Sequence, residues 1–177
     1  MTLSPRLDDA RVAAIAGSYD QPEPHTLAEI AQMIRLASSR GAETVTIGHS
    51  DDPHSAAAAK AFATAWIERG GHVLGTVQWP SDAASWLREA RNLIRFHPDL
   101  YVLGGAPAGL AQMIRRLVWS TNWTARSTIG FASAAAPAMH LLAGVQYLDG
   151  LTGATRDGDT WRITDAEITL NPPQERA

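Results

Sequence analysis

Apolar runs of strand length alternate with segments of helical spacing along most of this chain, and that alternation restricts its fold more than any other feature. "VAAIAG" (12–17) reads as a first strand and precedes "HTLAEIAQMIRLASSRG" (25–41), where Leu27, Ile30, Ile34 and Ala37 fall on one helical face. Thr26 and Glu29 have capping-box spacing, and Gly41 stands where that helix should end. "ETVTIGH" (43–49) leads into "SAAAAKAFATAWIERGG" (55–71), and "HVLGTVQW" (72–79) leads through Pro80-Ser81-Asp82 into "DAASWLREARNLIRF" (82–96). "DLYVLGGAPAGLAQMIRRL" (99–117) repeats the pattern around Gly104-Gly105-Ala106-Pro107. "STIGFAS" (127–133) with "AAAPAMHLLAG" (134–144) makes a fifth unit, its helix shortened by Pro137.

Parallel strands need helical crossovers, so five such units predict an α/β fold: a single doubly wound, mostly parallel sheet covered by helices on both faces. The remaining segment reads as an edge strand and a C-terminal β-hairpin, with its turn signal at Asp157-Gly158-Asp159 and a stop at Pro172-Pro173. The 177 residues suit one domain, expected over 11–170, with 1–10 and 171–177 as flexible ends.

Fifteen basic against eighteen acidic residues leave a formal charge of −3 and no basic stripe, so no nucleic-acid partner is expected. No apolar stretch approaches the roughly 20 residues that span a bilayer, so no membrane insertion is expected either. Val12 to Ala16 is too short for a signal-peptide core of about 7–15 residues. Together with the absence of cysteine, this points to a cytoplasmic protein without thiolate chemistry.

In an open parallel sheet, ligands bind beyond the carboxyl ends of the strands. That rule gathers Ser18 and Tyr19; His49, Ser50, Asp51, Asp52 and His54; Pro80, Ser81 and Asp82; Gly104, Gly105 and Ala106; and Ser133 onto one rim. Hydroxyls, backbone donors and a few acids suit a small polar ligand. The Gly-Gly corner has two readings: a place where a ligand approaches the main chain, or ordinary βα-loop chemistry with Pro107 at the first helical position.

"HSDDPHS" (49–55) has three readings: metal ligands without a well-defined template, a His–Asp acid–base pair, or an Asx-type turn with Asp52 or Ser55 capping the next helix. No G-x-S-x-G elbow, Walker loop or dinucleotide fingerprint is present, so no cofactor is expected and the chain reads as non-enzymatic. Trp66 and Trp86 read as core, whereas Trp119 and Trp123 flank the polar "STN" and fit either a partner surface or a buried anchor.

"DLYVLGGAPAGLAQMIRRL" resembles the strand–Gly-Gly–helix segment of type I periplasmic binding proteins, specifically the branched-chain amino acid binding group used by ABC importers. "TVTIGHSDDPHSAAAAKAFATAWIERGGHVLGTVQW" is similar to the preceding units of that family, and "DGLTGATRDGDTW" to its closing hairpin. The likeness runs over most of 11–170 but covers the second lobe only, so it implies a flavodoxin-like lobe that binds an amino acid or small carboxylate. The resemblance also implies that the lobe holding the ligand's carboxylate is not in this sequence. It places His54 where the family commonly has an aromatic against the ligand, and Pro80 where an acid pairs with the ammonium; Asp82 lies two residues on. A lone rim leaves its ligand half solvated, and a homodimer facing rim to rim would complete the cleft. Two other readings stand beside this one: a flavodoxin-like hydrolase using the His49–Asp51–His54 loop with Ser18 or Ser133, and an interaction scaffold with a vestigial site.

Overall fold

The computed structural model of the chain describes residues 6–16 and 22–172. Its sheet contains parallel strands β1 (Thr44–Ser50), β2 (His72–Trp79), β3 (Leu100–Gly104), β4 (Thr128–Gly130) and β5 (Thr152–Ala154), extended by antiparallel β6 (Thr160–Thr164) and β7 (Glu167–Asn171). The order across the sheet is β2-β1-β3-β4-β5-β6-β7. The helices are α1 (Asp9–Ala16), α2 (Leu27–Ser39), α3 (Pro53–Glu68), α4 (Leu87–Ile94), α5 (Pro107–Ser120) and α6 (Pro137–Ala143). Pro at the first turn starts α3, α5 and α6, where the missing N–H would have had no helical partner anyway.

Strand alternation sends side chains to two cores. Val45, Ile47, Leu100, Val102 and Ile129 pack under α2 and α3 with Met33, Phe62 and Trp66. Tyr101, Leu103 and Trp79 pack on the other face with Leu93, Leu110, Ile114 and Met139 from α4, α5 and α6. Both faces of the parallel region are therefore covered, as a parallel sheet requires.

Several expectations need correction. Residues 12–16 of the expected first strand lie in α1, because Asp9–Ala16 is rich in alanine, and Val12 and Ile15 sit one turn apart and pack together against the core. The fifth parallel strand is instead β5, from the segment read as an edge strand, and it lies inside the sheet between β4 and β6. β4 is shorter than expected, because the chain leaves the sheet at Phe131 into a 3-10 turn over Ala132–Ala135. α4 starts at Leu87 rather than near Asp82, after the buried Trp86 indole donates to the Pro80 carbonyl (2.8 Å). The capping at Thr26 is as expected: its hydroxyl accepts from the Glu29 N–H at 3.0 Å. Trp66, Trp86 and Trp123 are buried, while Trp119 lies half-exposed with its ring against Tyr147.

Two substitutions of opposite sign test this packing. At Gly153 a Cβ would collide with the Gly130 carbonyl oxygen and the Trp161 indole, so Gly153→Ala should cost about 3 kcal/mol in urea denaturation. Asp165 and Ala166, which turn the β6–β7 hairpin, hold φ of 51° and 66°. Ala166→Gly should relieve the strain of a left-handed alanine and stabilise by about 1 kcal/mol.

Candidate functional site

β2 and β3 flank β1 on opposite sides, so the chain leaves β1 toward the α3 face and leaves β3 toward the α5 face. Diverging loops open a crevice at the carboxyl ends of these strands. A pocket of about 430 Å³ occupies it. His54 and Ser55 line it from the start of α3, Gly104 and Pro107 from the β3–α5 junction, and Phe131, Ala132 and Ser133 from the end of β4. Its remaining wall is Pro22, Glu23, His25 and Glu29 from the approach to α2, with Arg156 from the turn between β5 and β6. Arg156 fastens that wall: its Nε donates to the Pro24 carbonyl (3.1 Å), its guanidinium pairs with Glu23, and its carbonyl accepts from the Thr26 hydroxyl.

The Gly-Gly corner is engaged within the protein. The Gly105 N–H donates to Ser133 Oγ (3.2 Å) and the Ala106 N–H to Ser50 Oγ (2.9 Å). Ser50 Oγ donates in turn to Asp52 Oδ2 (2.5 Å), and Asp52 Oδ1 accepts from the Ser55 N–H (2.8 Å), capping α3. The glycines permit close packing here, since a Cβ on Gly104 would strike the Phe131 ring and one on Gly105 would lie 2.9 Å from Ser50 Oγ. Burial pushes the Asp52 carboxyl up, but hydrogen bonds from Ser50, Ser55 and the His54 backbone outweigh it and hold Asp52 below the ordinary range.

Glu29 is the ionisable group of most consequence in the pocket. It is only 3% exposed, and its Oε1 accepts from the Ala132 N–H at 2.7 Å. Burial raises its pKa, against the lowering effects of the Ala132 and Thr26 backbone and the nearby His25. His25 Nδ1 is buried in the same wall with no hydrogen-bond partner among the described residues. With Ala132 and the Thr26 main chain as partners, the Glu29 carboxylate still has room for a further donor, and the two side chains together offer polar capacity to a ligand.

The expected rim divides. His54, Gly104 and Ser133 line the pocket, with Ser50, Gly105 and Ala106 bonded behind it. Asp51 turns instead to the next loop, where its Oδ1 accepts from the Ser81 N–H (3.0 Å) and hydroxyl (2.5 Å). Ser81 and Asp82 border a different hollow beside α1, with Trp86 and Gln112. Ser18 and Tyr19 lie outside the described residues. The histidine–aspartate loop serves separate neighbours: the buried His49 ring lies 2.7 Å from the Ser50 carbonyl, Asp51 meets Ser81, and His54 faces the pocket. Among the described residues, no three His, Cys, Asp or Glu side chains are placed to hold a metal ion, and no helix is long and apolar enough to cross a membrane. Sequence reasoning missed Glu29, His25 and Arg156 as pocket residues. The available signal was an acid in the first turn of a helix, which was read for capping alone.

No protein-family model matches this chain, and no curated protein matches its sequence. Solved structures do share its fold. An extracellular ligand-binding receptor from Rhodopseudomonas palustris aligns at a TM-score of 0.63 and 17% identity, covering 76% of this chain and 36% of that protein. A branched chain amino acid ABC transporter periplasmic ligand-binding protein from Burkholderia xenovorans LB400 gives 0.60 and 15%, covering 80% and 39%. A leucine binding protein from Thermotoga maritima MSB8 gives 0.60 and 19%, covering 71% and 35%. The fold is therefore that of a single lobe of a periplasmic ligand-binding protein. The chain spans little more than a third of the length of these proteins.

Removing the Ser50 hydroxyl strips the Ala106 N–H of its acceptor and Asp52 of a donor, so Ser50→Ala should cost about 1–3 kcal/mol by urea denaturation. Because the folded pKa of Asp52 is lowered, its stabilisation is present above the unfolded value of about 3.9 and is lost as pH falls through the folded value. Asp52→Asn should flatten that acid limb in a pH series of melting curves.

Proposed function

We propose that this chain is a non-enzymatic ligand-binding module that holds a small polar molecule bearing an amino group, of the amino-acid class, in the pocket at the strand ends. The observation that carries this reading is the buried Glu29 carboxylate beside His25 Nδ1, which has no hydrogen-bond partner among the described residues. An ammonium or N–H donor would meet unspent acceptor capacity there, with His54 and Phe131 as ring surfaces on other walls. The neighbours' names support the same class, since they are described as branched-chain amino acid and leucine binding proteins. A pocket formed by one lobe desolvates only part of its ligand, so binding in the millimolar range is expected, about −4 kcal/mol.

Glu29→Gln tests the assignment while keeping an acceptor for the Ala132 N–H. A panel of amino acids, amines and amine-free carboxylates should raise the melting temperature only with amine-bearing members, by about 2.7 kcal/mol of stabilisation at a hundred times Kd. In Glu29→Gln the affinity should fall about ten-fold or more, as loss of a charged hydrogen bond implies. Equal shifts from amine-free carboxylates, or undiminished affinity in the variant, would contradict the reading.

The same variant has a stability signature. With the folded pKa of Glu29 raised, the wild type loses stability as pH rises from about 4.3 through the folded value, because the ionised form is the one burial penalises. Glu29→Gln lacks that titration, so its stability relative to the wild type should be greater at pH 7 than at pH 4.

A further inference from the structure

β7 is one margin of the sheet, and all five of its residues are exposed. Natural edge strands are commonly blunted by charged side chains, proline or a bulge; here Glu167 and Pro172 stand only at the two ends, and residues 168–170 between them carry neither, in unbroken register with β6. The Ile163 N–H donates to the Leu151 carbonyl and the Ile163 carbonyl accepts from the Gly150 N–H, both at 2.9 Å, so the main-chain groups of Ile163 face away from β7. Ile168, opposite Ile163, therefore occupies a non-hydrogen-bonded position against β6, as does Leu170 opposite Trp161. The N–H and C=O groups of Ile168 and Leu170 consequently point out from the open edge. The two-residue turn at Asp165-Ala166, with both φ positive, agrees, because it makes Thr164 and Glu167 a hydrogen-bonded pair.

The side chains run past their cover in the same place. Ile163 and Trp161 are fully buried, but their neighbours on the same face, Ile168 and Leu170, are 40% and 64% exposed. We propose that β7 pairs antiparallel with β7 of a second copy of this chain, about a two-fold axis through Thr169. In that register Ile168 faces the partner's Leu170 and exchanges both main-chain hydrogen bonds with it, and Leu170 does the same with the partner's Ile168. The apolar row Ile163–Ile168 then continues into the partner's Leu170 and Trp161. On the opposite face Glu167 meets the partner's Asn171, so no like charges oppose each other.

Neighbouring registers fit less well. Centring on Leu170 sets Ile168 against the partner's Pro172, which has no N–H to give. Centring on Ile168 leaves Leu170 opposite the turn residue Ala166. Such a contact is small beside the roughly 1,600 Å² of a standard interface, so a weak dimer with Kd on the order of 0.1 mM is expected. β7 supplies no residue to the pocket lining, whose nearest contribution along the sheet is Arg156 in the turn before β6.

Sedimentation velocity from micromolar to millimolar protein tests the pairing. The wild type should pass from monomer to dimer. Ile168→Lys or Leu170→Glu alone should abolish that passage with melting temperature retained, and the double variant should restore it by placing opposite charges across the axis. A wild type that stays monomeric would overturn the proposal, as would a dimer that survives both single substitutions. So would association that appears only after truncation beyond Pro172, because the edge would then be covered by the chain's own end.

Discussion

A parallel strand cannot turn straight back onto its neighbour, and the direction each crossover takes decides where this molecule is open. The chain lays β2 on one side of β1 and β3 on the other, so successive connections cover opposite faces and their starting loops separate at one point of the sheet edge. The candidate pocket lies at that separation, between α3 and α5. The approach to α2 walls it from the side, and Arg156 ties that wall to the turn between β5 and β6.

Serine hydroxyls make the separation rigid. Ser50 joins the end of β1 to the main chain after β3, and Ser133 joins the turn after β4 to the same corner. With those amides engaged inside the protein, the polar groups that the proposed function assigns to a ligand lie on the wall facing them. Glu29 is held there by the Ala132 N–H and the Thr26 main chain and kept out of water, at a desolvation cost that those bonds do not fully offset. A donor supplied by a ligand would offset that cost.

Much of this arrangement was legible in the amino-acid order. Strand β2 falls on the expected run, the Asp52 and Thr26 caps are where turn chemistry puts them, and the parallel sheet follows from the alternation of periods. Residues 12–16 misled because a short run of alanine with two β-branched residues has no period that separates strand from helix. The rim was too broadly drawn for a related reason. The C-terminal-edge rule names loops but not the face toward which each turns, so Ser81 and Asp82 were grouped with His54 although they border a different hollow. Glu29 was read as a capping residue alone, because its place in the pocket depends on contact with Ala132, more than a hundred positions along the chain, and no local spacing encodes such a contact.

Backbone amide shifts followed by NMR, as leucine and then a plain amine are titrated into the ¹⁵N-labelled chain, test the central claim most directly. The account predicts that both ligands move the same set of signals, those of Thr26, Glu29, Ala132 and Ser133, with the Ser81–Trp86 loop unaffected. Movement confined to the hollow beside α1, or no movement at millimolar ligand, would contradict it.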